Sequence, residues 1–426
     1  TKEIRMKLLY VLFALIVVRI GCNIPIPGVN GSVMQEMFNN NKSLGFLDVM
    51  TGGSFSRMSI FALNITPYIT ASIILQLLTI AIPRLEELQK DGEDGRKKIN
   101  EYTRYLSIVL AVIEGLAMVI GFRNQNIFKE SGYVSMIVAV VSLTAGAAFL
   151  MWLGEQITVK GVGNGISIIL LINIVARIPS DLAGLYNTYI KGASNITNAL
   201  IAGVIIVAVI VAMYVFIVFL QDGERRIPVQ YAKKIQGRKT VGGQSSCIPL
   251  KVNTSGVIPI IFASSLMQLP VVICSFFGIQ GTGFWGHVLR GLSSSNWCNP
   301  KEPVYSIGLV VYIALVIFFA YFYTSITFNP LEIADNMKKQ GGFIPGIRPG
   351  KPTQDYLEKI LNYIIFIGAI GLLIVCTIPI VFNGAFGASV SFGGTSIIII
   401  VGVVLETLKQ IESQMLVRNY RGFLSE

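Results

Sequence analysis

The chain is a succession of long apolar stretches separated by shorter polar connections. Ten such runs stand out, with cores at Leu8 to Ile24, Ile60 to Ile82, Tyr105 to Phe122, Tyr133 to Leu153, Ile166 to Leu185, Leu200 to Leu220, Val257 to Gly278, Val304 to Phe328, Ile360 to Phe382 and Thr395 to Met415. An α-helix needs about 20 mainly apolar residues to cross the hydrocarbon layer of a bilayer. The pattern therefore predicts an all-α polytopic membrane protein with ten transmembrane helices. No small-residue cleavage site follows the first run, only Pro25 and Pro27, so it is expected to be a retained helix and not a signal peptide.

One stretch breaks the pattern. Leu44 to Pro83 is hydrophobic throughout but carries Gly52 and Gly53, Arg57 and, inside the second run, Pro67. Irregular backbone at membrane depth is tolerated only where it is buried in protein or lines an aqueous cavity, since lipid cannot satisfy free N–H and C=O groups. This stretch is expected to border a pathway.

Composition sharpens the class. The chain is 53% hydrophobic and 13% charged, against about 25% charged residues in an average soluble domain. An even number of crossings places both termini on one side, and the Lys and Arg of the short loops decide which. Of 34 such residues, Lys42, Arg57, Arg123, Lys129, Arg177, Lys191, Arg290 and Lys301 fall on one face, Arg19 lies inside the first run, and the other 25 flank the termini and the even-numbered loops. Both termini are expected to be cytoplasmic. Two long cytoplasmic loops, Gln221 to Asn253 and Asn329 to Lys359, interleave Tyr, Phe and Ile with their charges. They serve either to fix topology and touch anionic lipid or to dock a protein partner or RNA phosphates.

The runs divide after the fifth, and odd-numbered halves are inverted relative to each other, as in many transporters and channels. The second run opens with NITPYITASI (Asn64 to Ile73) and the seventh with NTSGVIPIIFASS (Asn253 to Ser265). Either these are repeat mates or both prolines are incidental kinks. Intramembrane polar residues are rare and therefore informative: Gln76, Glu114 and Gln268 form a polar seam or else scattered helix-to-helix hydrogen bonds.

Catalytic chemistry finds little support. Five scattered cysteines (Cys22, Cys247, Cys274, Cys298, Cys376) show no Cys-x-x-Cys pair and argue for neither a disulfide framework nor zinc. His287 is the one histidine. No Asp, Glu and His string suggests a proton pump. Gly161-Val-Gly-Asn-Gly165 joins two membrane runs without a preceding strand and reads as a turn rather than a phosphate loop, and Glu155-Gln-Ile-Thr158 could cap that junction.

At this point a resemblance becomes specific. GGSFSRMSIFALNITPYITASIILQLL (Gly52 to Leu78), MWLGEQIT with GVGNGISII (Met151 to Ile169), YAKKIQGRK (Tyr231 to Lys239), GVIPIIFASS (Gly256 to Ser265), FNPLEIADNMKKQGGFIPGIRPG (Phe328 to Gly350) and FGGTSIIIIV (Phe392 to Val401) resemble the bacterial SecY protein-conducting channel family, in order, from about Ile4 to Gln414. The resemblance implies two pseudo-symmetric inverted halves, residues 1–190 and 191–426, around an hourglass pore. It places an apolar ring on Ile65, Ile69, Ile166, Leu170, Ile261 and Ile399, where five positions are isoleucine and Leu170 preserves bulk. It places a plug at about 46–58, including Phe46, Gly52, Gly53, Phe55 and Arg57, pictured as a short, softly hinged helix of limited packing. A lateral gate would involve Gln76, Glu114, Gln268 and Leu269, and cytoplasmic docking Arg226, Lys233, Lys234, Arg238 and Arg348.

The implied partners are the SecE and SecG membrane subunits, the SecA ATPase motor, the ribosome, signal sequences, nascent or secretory polypeptides and membrane lipid, with no cofactor and no direct DNA binding. The implied function is passage of unfolded polypeptide across, and lateral release of transmembrane segments into, the bacterial cytoplasmic membrane, without chemistry of its own. The chain holds no Walker-type loop, so energy is expected from a partner. The alternative is a secondary transporter of small solutes built from inverted repeats, which should present polar ligands near the midplane. An intramembrane enzyme would need a catalytic group such as Glu114.

Overall fold

The computed structural model describes residues 2–31, 33–34, 51–123, 127–128, 132–191, 196–231, 234–236, 239–241, 245–276, 284–293, 297–298, 302–386 and 394–423. The chain forms two compact units. One holds Thr1–Gly184, Pro270–Gly286 and Val403–Glu426; the other holds Leu185–Leu269 and His287–Gly402.

The helices of the first unit's main segment are α1 (Lys2–Gly21), α2 (Thr66–Ala81), α3 (Pro83–Lys90), α4 (Glu93–Phe122), α5 (Tyr133–Lys160), α6 (Gly165–Val175) and α7 (Ile178–Leu185). In chain order there follow α8 (Ile196–Asp222), strands β1 (Glu224–Tyr231), β2 (Lys234–Gln236), β3 (Lys239–Val241) and β4 (Ser245–Lys251), then α9 (Ile258–Phe276), α10 (Phe284–Leu292), α11 (Ile307–Thr327), α12 (Pro330–Lys339), β5 (Gly342–Phe343), α13 (Lys351–Phe386) and α14 (Gly394–Phe423). Most described residues of each of the ten predicted runs lie on helix, although the second run enters α2 only at Thr66, after turns at 60–65. Among the described residues six helical spans are long and apolar enough to cross a membrane, or up to seven with the bent pair α2 and α3 counted as one span.

Several helices outrun their apolar cores. α4 starts twelve residues before the hydrophobic run, with Glu93 and Asp94 in its first turn, where acidic side chains complement the positive end of the helix dipole. Its buried positions include Thr103, Ser107, Ala111, Gly115, Met118, Val119 and Phe122. The first four step by four residues, so small side chains follow one stripe and let neighbouring backbones approach. α2 and α5 pack against α4, and α5 against α6.

The prolines are better placed than the sequence reading had them. Pro67 was expected in mid-run, yet α2 begins at Thr66 and Pro67 occupies its first turn; Pro259 likewise follows the first residue of α9. An N–H in the first turn has no intrahelical acceptor, so its absence there is harmless and the fixed φ is pre-organised. Neither residue kinks a helix, and the two apolar openings are alike, each with an isoleucine two positions on (Ile69, Ile261). Pro83 starts α3 after a 105° bend. The fifth run is also split: the helix breaks at Ala176 and Arg177 and resumes as α7 with Pro179 in its first turn.

The glycine-rich 161–165 segment is a turn, as expected. The Asn164 side chain accepts from the N–H groups of Ile166 (3.1 Å) and Ser167 (3.4 Å) and caps α6. Thr158 Oγ1 accepts from Gly165 N at 2.9 Å, tying the end of α5 to the start of α6. Replacing Asn164 by Ala should lower stability by about 1 kcal/mol, and Asn164→Ser should recover most of it; thermal unfolding in detergent, followed by intrinsic fluorescence, reads the difference.

Candidate functional site

Residues 51–65, which precede α2, pack into the buried core of the first unit. From Thr51 to Ile65 the backbone is a chain of turns, so the described part of the expected plug, 51–58, is not the short helix that the resemblance suggested, and residues 46–50 lie outside the described residues. Its amides are satisfied locally, as in Ser54 N to Thr51 O (3.3 Å), Met58 N to Phe55 O (3.0 Å), Ala62 N to Ser59 O (2.9 Å) and Asn64 N to Phe61 O (2.9 Å). Two further bonds attach it to the segment after α1, with Ile26 N donating to Met58 O and Ile60 N to Ile24 O, both at 3.0 Å.

Its side chains are not loosely packed either. Phe55, Met58, Ala62 and Leu63 belong to one buried cluster with Ile26, Val29 and Met34, with Ala111, Met118, Val119 and Phe122 of α4, and with Ala139, Leu143 and Ala147 of α5. Phe55 meets Phe122 edge-on with centroids 6.4 Å apart. A Cβ on Gly146 of α5 would collide with the Ile60 carbonyl, so glycine there lets the segment's backbone press onto the helix. The expectation of limited packing is corrected: an apolar segment that cannot form helix gains stability by sinking into the protein.

A polar set runs through this apolar site, and sequence reading found only part of it. Asn173 of α6 is fully buried; its Nδ2 donates to Asn64 Oδ1 at 3.1 Å, and its Oδ1 accepts from the Cys22 thiol at 3.8 Å. Gly52 and Gly53 have φ of 66° and 83°, the left-handed region that favours glycine. At Gly52 an added Cβ would also lie 2.8 Å from the Asn173 carbonyl oxygen. Arg19 Nη1 donates to the Gly52 carbonyl at 3.5 Å. Arg57, exposed, donates through Nη1 to Asn23 Oδ1. Phe46 lies outside the described residues.

Four of the expected ring residues belong to this unit. Ile65 is the buried residue preceding α2 and Ile69 stands one turn later, its N–H bonded to the Ile65 carbonyl at 3.1 Å. Ile166 and Leu170 are half-buried and one turn apart on α6, so the same face carries both. The other two are in the second unit, Ile261 half-buried on α9 and Ile399 buried on α14. Of the gate residues, Gln76 is exposed on α2 and Glu114 half-buried on α4. The side chains of Gln268 and Leu269 lie outside the described residues.

In the second unit the two long basic loops fold together. β1 pairs antiparallel with β4 from Glu224 to Gln230 and with β5 at Gln230 and Tyr231, giving the order β4-β1-β5. Pro228 sits in β1 beyond the reach of β5, where a missing N–H costs no ladder bond on that side. Ile227 and Val229 alternate inward and join Leu250, Met337, Ile344, Leu357, Ile360 and Ile364, with Tyr231, Ile248, Phe328, Ile347 and Tyr356 around them. These are the apolar residues read as a sign of an exposed docking surface. Most of them instead form the core of the module, because a half-buried strand alternates with period two and its apolar positions need a partner face.

The cations stay outside. Arg226 and Arg348 are both exposed, the first within 3.5 Å of Glu224, a surface pair of little energetic consequence. Arg348 precedes α13 in a turn closed by Thr353 Oγ1 donating to its carbonyl at 2.8 Å. Lys234 lies in β2, with its side chain outside the described set, as are Lys233 and Arg238 entirely.

The SecY family model matches residues 59–408. The chain belongs to the SecY family. It is similar to a protein translocase subunit SecY of Streptomyces scabiei, 46% identical with 100% of this chain and 98% of the relative covered. Among solved structures it is similar to a SecY whose plug domain is described as stabilising the closed state of the translocation channel and maintaining a membrane seal (21% identity, 97% of this chain and 93% of that chain covered, TM-score 0.67). It is also similar to Sec61 in a canine ribosome-channel complex from the endoplasmic reticulum (19% identity, the same coverages, TM-score 0.62). At these identities the structural likeness concerns the fold.

Within this SecY-family chain, Asn173, Cys22 and Asn23 are what sequence reading missed. An asparagine inside the strongly apolar run ISIILLINIV was the available signal, since an uncompensated amide is costly in such surroundings. The cytoplasmic module yields its own prediction. Val229→Asp places a charge in the core of the sheet and should expose residues 221–253 to limited proteolysis, with the membrane helices still protected, whereas Gln230→Asp on the outward face should leave the digestion pattern unchanged.

Proposed function

We propose that this SecY-family chain forms the channel of a protein translocase, passing unfolded polypeptide through a ring of aliphatic side chains and releasing sufficiently apolar segments sideways into lipid. The family membership carries this reading, and the nature of the ring positions supports it. Ile65, Ile69, Ile166, Leu170, Ile261 and Ile399 offer no polar group to an ion, so a narrow collar of them would seal by dewetting, and it would grip no particular peptide sequence. A transporter of small solutes would need substrate ligands at those positions. Lateral release follows from partitioning, each Leu or Ile at mid-helix contributing about −0.3 to −0.6 kcal/mol to insertion. Gln76 and Glu114, with Gln268 and Leu269, are assigned to the seam through which such segments leave.

Residues 1–190 and 191–426 would act as the two halves, in a bacterial cytoplasmic membrane with both termini cytoplasmic, consistent with the bias of basic residues. The module built on β1, β4, β5 and α12 is the surface for the energy source, the SecA motor or a ribosome, with Arg226 and Arg348 exposed for an anionic partner. SecE and SecG are the expected membrane partners. The chain carries out no chemistry in this reading.

Vesicles containing the chain and its partner subunits should import a secretory precursor in the presence of motor and ATP; movement of a small solute with no precursor import would refute the channel. In the same vesicles Ile69→Asn hydrates the collar and should increase import of a precursor with a weakened signal sequence several-fold, and tighter discrimination would contradict the seal. Arg226→Glu and Arg348→Glu should each depress motor- or ribosome-driven import several-fold with unchanged thermal stability, and normal rates in both would remove the docking assignment.

A further inference from the structure

Two points of the irregular segment meet a single residue. Gly52 packs so closely on the Asn173 backbone that a Cβ would sit 2.9 Å from Asn173 Cα. Asn64, just before α2, accepts the hydrogen bond from Asn173 Nδ2 at 3.1 Å. Asn64 itself has φ of 52°, a left-handed conformation that asparagine tolerates better than most residues, and the residue after it is Ile65. Asn173 is carried by α6, one and two turns beyond Leu170 and Ile166 respectively. The bond thus ties the residue adjoining one pair of ring positions to the helix that bears another pair.

We propose that Asn173 is a positioning residue for gating: by packing on Gly52 and bonding Asn64 it fixes where Ile65 rests relative to α6, and the Asn173 to Asn64 hydrogen bond must break for the channel to open. This rests on the channel reading above. The physical argument is one of directionality. Aliphatic contacts between Ile65, Ile69, Ile166 and Leu170 would be nearly as favourable after a small slide, because dispersion attraction has no preferred direction. A buried amide pair has a preferred geometry, and either amide left without its partner is penalised. The pair therefore defines one resting register that the apolar ring alone would leave loose. Asn173 Oδ1 is held in turn by the Cys22 thiol, 3.8 Å away, which orients the amide so that its Nδ2 faces Asn64. The same hydrogen bond is modest in net free energy, so an engaged substrate segment can break it without unfolding the unit.

The test uses the chain with its partner subunits in vesicles and two precursors, one with an intact and one with a weakened signal sequence. Import of the intact precursor by the unaltered protein checks the channel reading separately; if that fails, the channel is at fault and not the clasp. Given import, Asn173→Leu and Asn64→Gly, the latter preserving the left-handed backbone, should each raise import of the weakened precursor about two- to ten-fold, the range expected for one buried hydrogen bond. The intact precursor should be unaffected, and the double variant should exceed neither single one. Additive effects, or a fall in import of both precursors, would mark a purely structural role and overturn the proposal. A second arm covers variants that fail to accumulate. In a Cys22→Ser background, Asn64→Cys with Asn173→Cys should be bridged by a short bis-methanethiosulfonate reagent, blocking import of the intact precursor until the bridge is reduced. Absence of the crosslink, or full import with it in place, would equally overturn the clasp.

Discussion

Much of this structure follows from one constraint: an apolar segment that is not helical has to find hydrogen-bond partners inside the protein. Residues 51–65 meet it by turn-to-turn bonds, by two bonds to the chain after α1, and by close contact with glycines of neighbouring elements. The surrounding helices are shaped to that end. Gly146 on α5 lowers the surface on which the segment lies, and Asn173 meets it twice, with its backbone against Gly52 and its side-chain amide bonded to Asn64. Held this way, residues 51–65 are a packed part of the first unit, and moving them would require many weak contacts to be exchanged and a few directional bonds to be broken.

The second unit answers a different problem with the same physics. Strands that carry charges on one face and branched apolar residues on the other are unstable alone, so β1 and β4 from one loop recruit β5 and α12 from another, and the membrane helix α13 extends beyond its apolar core to complete the cluster. The basic residues that bias topology are thereby presented on a folded platform. If a partner docks there, as proposed, the rigidity of that platform would determine whether its push reaches the membrane helices.

The likeness to solved channels at about one-fifth identity fits this division of labour. A fold defined by apolar length, small-residue stripes and proline-started helices tolerates wide exchange of aliphatic side chains, since packing interfaces in a membrane depend on size more than on identity. Directional groups such as Asn64 and Asn173 are less exchangeable in principle, because each removal breaks a bond of fixed geometry.

The sequence by itself determined the class, the ten apolar runs, the bias of charge between faces and the turn at 161–165, because bilayer thickness, the cost of free backbone groups and local capping act on short stretches of chain. It also carried the motifs that resemble the SecY family. Tertiary structure alone decided that Pro67 and Pro259 start helices rather than kink them, that the fifth run breaks at Ala176, and that Ile227, Ile344 and the partly buried Tyr231 pack together in one cluster. It also decided that Asn173 meets Asn64, 109 residues away in sequence. Such outcomes depend on which distant surface covers a given residue. Periodicity says that a face is apolar or that a polar group needs a partner; only the packed chain says what that partner is.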